Sequence, residues 1–169
     1  MNILAIIQAR MNSSRFPGKV LKKIKDKYLI DILLYRLSKS QLIDHIIVAT
    51  TKNNDDNELV NILNNLNIDI YRGDENNVLS RYYEASKIFS PEIIVRITGD
   101  CPIIDAELVD EIIKFYIEND VDYVSNGNPP TFPDGLDVEV FSSKSLLMAY
   151  KNATSKHDKE HVTPYIIKN

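Results

Sequence analysis

Ile6-Ile7-Gln8-Ala9-Arg10-Met11-Asn12-Ser13-Ser14-Arg15-Phe16-Pro17-Gly18-Lys19-Val20-Leu21 is the stretch on which the reading of this chain turns. Its first residues close an apolar run that reads as a buried parallel strand, and the run then breaks into a polar loop with two serines and a Pro-Gly turn. Arg10, Arg15 and Lys19 gather at that one strand end. Fixed positive charge, small hydroxyl residues and free backbone N–H groups suit such a loop to a polyphosphate. It is not a Walker A loop, because Ser13 stands where that motif needs glycine and Val20 stands where it needs Ser or Thr. No G-x-G-x-x-G follows the strand, so a dinucleotide fingerprint is missing too. On these residues alone a solvated basic turn between strand and helix remains open.

Outward from this stretch, strands and helices alternate. Ile3 to Gln8 reads as the first strand, and Leu29, Ile32, Leu33 and Leu37 recur at helical spacing after the loop. His45 to Thr51 is a second strand rich in β-branched residues, followed by a helix striped by Leu59, Ile62, Leu63 and Leu66. Ile68 to Tyr71 gives a short third strand, with Val78, Leu79, Tyr82, Ala85 and Phe89 on the helix after it. Ile93 to Thr98 is a fourth strand, and Asp105 stands where it would cap a helix carrying Leu108, Val109, Ile112, Ile113 and Tyr116. Val121 to Ser125 and Leu136 to Phe141 read as further strands, the second antiparallel because it follows a Pro-containing loop and not a helix. Residues 143–152 and 158–168 read as helices, with Pro164 interrupting the last. Lys22, Lys23, Lys25 and Lys27 read as a solvated turn. The pattern predicts an α/β fold, a Rossmann-like three-layer αβα sandwich on a mostly parallel sheet.

Composition limits the partners. The chain has 169 residues, 44% of them apolar, which suits one globular domain with a substantial core over 1–169. A net charge of -4 argues against a general nucleic-acid binder, which needs a basic surplus to replace phosphate counterions. The start of the chain lacks the basic and apolar regions of a signal peptide, and no run approaches the ~18 apolar residues of a membrane span. A cytoplasmic protein with no membrane partner is the expectation. Cys101 is the single cysteine, so no internal disulfide forms; it reads as a small space-filler.

The loop from Gln8 to Leu21 closely resembles the signature loop of the cytidylyltransferases that make CMP-activated sugar acids, the acylneuraminate and 3-deoxy-octulosonate enzymes. It is most similar to the SpsF-like branch. Arg72-Gly73-Asp74-Glu75-Asn76-Asn77-Val78-Leu79-Ser80-Arg81-Tyr82-Tyr83, Arg96-Ile97-Thr98-Gly99-Asp100-Cys101-Pro102 and Lys159-Glu160-His161-Val162-Thr163-Pro164-Tyr165 fit the same branch. The resemblance spans the chain and implies a family member short at its C-terminal end. It implies transfer of CMP from CTP to a sugar or sugar acid, Mg2+ as cofactor, and a homodimer.

In an open parallel sheet, ligands lie beyond the carboxyl ends of the strands. Here those ends carry Ala9-Arg10, Thr50-Thr51, Arg72-Gly73-Asp74 and Thr98-Gly99-Asp100. The resemblance makes Arg10, Arg15 and Lys19 the holders of the triphosphate, with Gln8, Ala9, Ser14 and Thr98 as further nucleotide contacts. It makes Asp100 the metal ligand, a role its chemistry also suits because magnesium prefers oxygen donors and shares itself with substrate phosphates. A turn-capping role for Asp100 stays open. Asn77 and Arg81, one helical turn apart, either face the crevice or lie on a solvated helix face. Asp137 and Glu139 share one face of a strand, either as acceptors for sugar hydroxyls and a second metal ligand or as an edge-strand salt bridge. His157 and His161 have zinc spacing without an apparent third ligand, and His161 fits a substrate contact better. A glycosyltransferase of the nucleotide-diphospho-sugar type is the alternative activity, although Gly99-Asp100-Cys101-Pro102 stands where its Asp-x-Asp belongs. A non-catalytic nucleotide-binding domain is the other alternative.

Overall fold

The computed structural model describes residues 1–13 and 16–169. Its centre is β1 (Ile3–Gln8), which has β4 (His45–Thr51) on one side and β6 (Ile93–Thr98) on the other, both parallel to it. β5 (Asp69–Gly73) extends the parallel sheet beyond β4. Beyond β6 stand β8 (Glu139–Ser142) and then β7 (Tyr123–Ser125), paired antiparallel, so the sheet of six runs β5-β4-β1-β6-β8-β7. The four parallel strands, in chain order, stand 3-2-1-4. The chain therefore reverses direction across the sheet between β1 and β6, and a crevice opens at that switch point.

Both faces of the sheet are covered, which is why its central strands are apolar at consecutive positions. Ile3, Ala5 and Ile7 of β1 point into one core with α1 (Leu29–Leu37), α2 (Asn57–Asn65) and α4 (Ala106–Glu118). Leu4 and Ile6 point into the other, with α3 (Val78–Ser86) and α5 (Ser143–Asn152). Two short helices, α6 (Lys156–His161) and α7 (Pro164–Lys168), complete the chain. No helix among the described residues is long and apolar enough to cross a membrane.

Four local readings change. Residues 158–168 are two helices, because Val162 takes a left-handed φ of 71° and ends α6 two residues before Pro164. The lysine-rich turn is a small hairpin of β2 (Lys23–Ile24) and β3 (Lys27–Tyr28), its lysines still exposed. Leu66 and Phe89 lie just past the ends of their helices, and Leu66 is exposed. The strand expected from Leu136 begins at Glu139, because residues before it are bound into a loop.

The antiparallel β8 decides what reaches the crevice. β7 rises parallel to β6, so the 126–138 segment emerges at the carboxyl edge of the sheet before β8 descends. At the foot of β8, the Ser143 amide donates to the Glu92 carbonyl just before β6, and α5 then climbs back to deliver α6 to the same edge.

Candidate active site

A cleft of about 680 Å³ occupies the switch point. Its floor is the paired ends of β1 and β6, where the Gly99 amide donates to the Gln8 carbonyl at 2.8 Å. A Cβ at Gly99 would lie 2.8 Å from that oxygen and 2.9 Å from the Ala9 Cβ, so only glycine lets the two strand ends approach this closely. Gln8, Ala9, Thr98, Gly99 and Asp100 line the cleft directly.

One wall is cationic. Gly18, at φ 69°, bends the loop so that Lys19 reaches across it, with Nζ 3.2 Å from Asp100 Oδ2. Arg10 reaches Glu75, with Nη1 3.4 Å from Oε1. All four groups are about one-third to one-half exposed, so these pairs hold position and add little stability. Arg81 also lines this wall but is only 2% exposed. Its Nη1 donates to the Asp74 and Glu75 carbonyls at 2.7 and 3.1 Å, and its Nε has no partner. Burial pushes its pKa down, with the Arg10 charge adding to the effect. Such a cation, held by neutral carbonyls and facing a cleft, is suited to an anionic ligand. Of the two readings of Arg81, the one that faces the crevice agrees with its position, and the solvated helix face does not: Gly73 leaves the room, since a Cβ there would lie 2.8 Å from Arg81 Cγ. Asn77 does not line the cleft; its side chain caps α3, accepting from the Ser80 amide at 2.9 Å. Ser14 and Arg15 lie outside the described residues.

Asp100 faces this wall. Burial pushes its carboxyl up, but the Thr98 hydroxyl and the Lys19 ammonium outweigh that and hold it below the ordinary carboxylate value. It is thus an ionised, half-exposed oxygen donor at neutral pH. Among the described residues no three His, Cys, Asp or Glu side chains converge to hold a metal. A divalent cation here would have to be shared with a ligand's own oxygens, which is the habit of magnesium. Next to it, burial pushes the Cys101 thiol up, so the thiol stays neutral.

The opposite wall is acidic and comes from the late chain: Asp134, Gly135, Asp137, Glu160 and His161. Asn126 staples the 126–138 segment shut, donating from Nδ2 to the Leu136 carbonyl and accepting the Val138 amide, each at 2.8 Å. The His161 ring lies tilted against that of His157, with centroids 4.6 Å apart, and both are exposed.

Glu139 does not share this wall with Asp137, which corrects its reading as an acceptor for sugar hydroxyls. It faces Arg96 across the β6–β8 register, and a cross-strand pair of opposite charge forms between Arg96 Nη1 and Glu139 Oε2. Glu139 Oε1 accepts from the Tyr123 hydroxyl at 2.7 Å and from Thr163 Oγ1 at 2.6 Å. Both oxygens are used inside the protein. Arg96, which also donates to Gln8 Oε1 at 3.2 Å and lines the cleft, is a residue that sequence reasoning missed as part of the site. Its signal was its place in a strand whose neighbours are apolar.

Asp56 was missed as well. This carboxylate is 1% exposed and accepts from the Met11 amide at 2.7 Å, from Thr50 Oγ1 and the Thr51 amide at 3.0 Å, and from Thr51 Oγ1. Its partners lie up to 45 residues away, so no local pattern announces it.

With this geometry in view, the chain can be set beside known proteins. A family model described as "Cytidylyltransferase" matches residues 4–169. An uncharacterized protein of Methanocaldococcus jannaschii is 47% identical over 169 residues, covering 100% of this chain and 68% of that protein. The spore coat polysaccharide biosynthesis protein SpsF of Bacillus subtilis is 35% identical, covering 98% of this chain and 70% of its own length. A solved cytidylyltransferase from Leptospira borgpetersenii superposes with a TM-score of 0.94 at 32% identity, over 100% of this chain and 72% of its own.

Proposed function

The chain belongs to the cytidylyltransferase family, and from that membership and the cleft's charge pattern we propose that it transfers CMP from CTP to a hydroxyl of a sugar or sugar acid, releasing pyrophosphate. One observation carries the reading: at the switch point, Lys19, Arg10 and the buried Arg81 stand on one wall, facing Asp100 and the acidic late chain. A triphosphate would lie along the first wall and an acceptor hydroxyl would enter past the second.

In such a transfer the acceptor oxygen forms one bond to the α-phosphorus, the bond to the pyrophosphate oxygen breaks, and the hydroxyl proton is given up. Charge builds on the departing pyrophosphate, where Arg10 and Lys19 would neutralise it from positions fixed before the reaction. Asp100 would hold Mg2+, which would supply positive charge to offset that of the phosphates. The Lys19–Asp100 pair then keeps both groups in register until the triphosphate takes the ammonium. Gln8, Ala9 and Thr98, beside the strand ends, are placed to meet the base and ribose. Asp137 and His161, which line the cleft, would exchange hydrogen bonds with sugar hydroxyls. Similarity to SpsF supports a role in surface polysaccharide biosynthesis.

The test is pyrophosphate release from each of the four nucleoside triphosphates, with magnesium and a panel of sugars and sugar acids. CTP should be the productive donor, and CTP with magnesium should raise the thermal midpoint more than ATP, GTP or UTP. No pyrophosphate from CTP with any acceptor would overturn the reading. Consumption of a nucleotide-sugar without pyrophosphate would replace it with the glycosyltransferase.

A further inference from the structure

We propose that the connection between β4 and α2, residues 53–56, positions the phosphate loop from outside the cleft, with Asp56 as its central positioning residue. The inference rests on the reading of the 10–19 loop as the triphosphate holder. None of Asn53, Asp55 and Asp56 lines the cleft, yet each touches a residue of the cationic wall or its supports.

Asp56 stands at the N-cap of α2, where an aspartate ordinarily accepts an amide of its own helix. It makes no such bond. Its Oδ1 instead takes the Met11 amide, while Oδ2 takes the Thr50 and Thr51 donors. Met11 is the neck of the loop: its carbonyl accepts from the amides of Ser13 at 3.0 Å and Gly18 at 2.8 Å. Gly18 precedes Lys19, so a chain of hydrogen bonds runs from Asp56 through the Met11 peptide to the residue that aims the ammonium. A second arm serves Arg10. Asn53 Nδ2 donates to Glu75 Oε2 at 2.7 Å, and the other Glu75 oxygen meets Arg10. Asp55 adds a bond from Asn12 Nδ2 at 2.7 Å.

The residue type is informative. Both Asp56 oxygens face backbone N–H groups, so the site requires an acceptor on each side. Asparagine has the same shape but must set an NH2 donor against one of those amides, which loosens either Met11 or Thr51. Misplacement of reacting groups by about 1 Å costs about 100-fold in rate. Asp56→Asn should therefore lower kcat/KM for CTP by about that factor.

The experiment measures binding of CTP, inorganic tripolyphosphate and cytidine to wild type and Asp56→Asn, with thermal midpoints alongside. The expected result is loss of CTP and tripolyphosphate affinity by about tenfold or more, with cytidine affinity unchanged, because the floor at Gln8 and Thr98 is held by strand pairing. Equal losses for all three ligands would show a merely structural role and overturn the proposal, as would a folded variant with wild-type tripolyphosphate affinity. If Asp56→Asn does not fold, Asn53→Ala decides, since it removes only the support of Glu75. It should weaken tripolyphosphate and spare cytidine, and no change in tripolyphosphate binding overturns the proposal. Tripolyphosphate binding by a wild type that yields no pyrophosphate from CTP would defeat the proposed function and leave this inference standing.

Discussion

The two walls of the cleft are built in different ways. The cationic wall hangs from strand ends and is braced from behind by a buried carboxylate that accepts from two backbone amides and two threonine hydroxyls. The acidic wall consists of a stapled loop and the end of α6, which is followed by α7 and tied to the sheet through the side chains of Arg96, Glu139, Tyr123 and Thr163. Between α6 and α7 the chain passes through a tight turn. Val162 has φ 71° and ψ -60°, and the Thr163 amide donates back to the His161 carbonyl at 2.8 Å. This is a γ-turn of the strained hand, on a β-branched residue that is fully buried. The cationic wall is therefore fixed where charge must be precise, whereas the acidic wall is held by a few long-range contacts and carries strain. A change of charge on the first should alter chemistry and spare the fold, whereas a change in the contacts that tie the second to the sheet should cost stability.

The largest effect expected under that contrast is on Lys19→Ala. Removing one preorganised cation should lower turnover by about 100-fold or more, with an unmoved thermal midpoint because the side chain is partly exposed. Steady-state pyrophosphate release and a melting curve on one preparation check both halves, and an unfolded variant would break the contrast. Next is Glu139→Gln, which leaves the Arg96 guanidinium without its charge partner in a site 13% exposed. The loss should be about 3 kcal/mol, or roughly 6 to 12 °C of melting temperature for a chain of this size. Denaturant unfolding measures it, and a loss below the error of the method would mean that the hub does not hold the acidic wall.

Smaller and more diagnostic is a pair at Val162. Both Val162→Ala and Val162→Gly lose buried methyl groups, but only glycine accepts a left-handed backbone without strain. Glycine should be the more stable of the two by about 1 kcal/mol, the reverse of an ordinary buried site. Equal stabilities would remove strain from the description. The smallest effect concerns acid. A carboxyl depressed below its ordinary value, as Asp100 is, stabilises the fold above that ordinary value, and the contribution disappears as pH falls through the lowered folded-state value. Asp100→Asn should therefore melt slightly below wild type near neutrality, and the gap should close in acid as the carboxyl protonates. A constant gap across the titration would assign the difference to something other than the charge.

How much of this was legible in the sequence follows from which forces are local. The parallel strands were readable because burial on both faces demands uninterrupted apolar runs, and Gln8 and Thr98 fell at strand ends for the same reason. Asp105 was readable as a cap because the amides that donate to it, those of Glu107 and Leu108, lie within three residues. Arg81 was ambiguous because the room it occupies is made by Gly73, across a turn. Glu139 was misread because period-two spacing with Asp137 holds only inside a strand, and Asp137 precedes β8. Asp56 stayed silent because a charged residue in a polar loop has many ordinary explanations and its Met11 partner lies 45 residues away, and Arg96 gave only the weak signal of a lone charge among apolar strand neighbours.

The staple at Asn126 has one further consequence, which concerns inheritance. Segment 126–138 leaves β7 and returns to its antiparallel neighbour β8, with Asn126 pinning both ends together. A hairpin loop closed at its base transmits no change of length to the sheet, and even a doubling of such a loop costs only about 0.6 kcal/mol in closure entropy. Insertions and deletions at its tip would thus be nearly neutral for folding while reshaping the mouth through which an acceptor passes. Under the proposed transfer, descent with modification would have a place here to exchange one acceptor for another, and the residues proposed to hold the nucleotide need not change for it to do so.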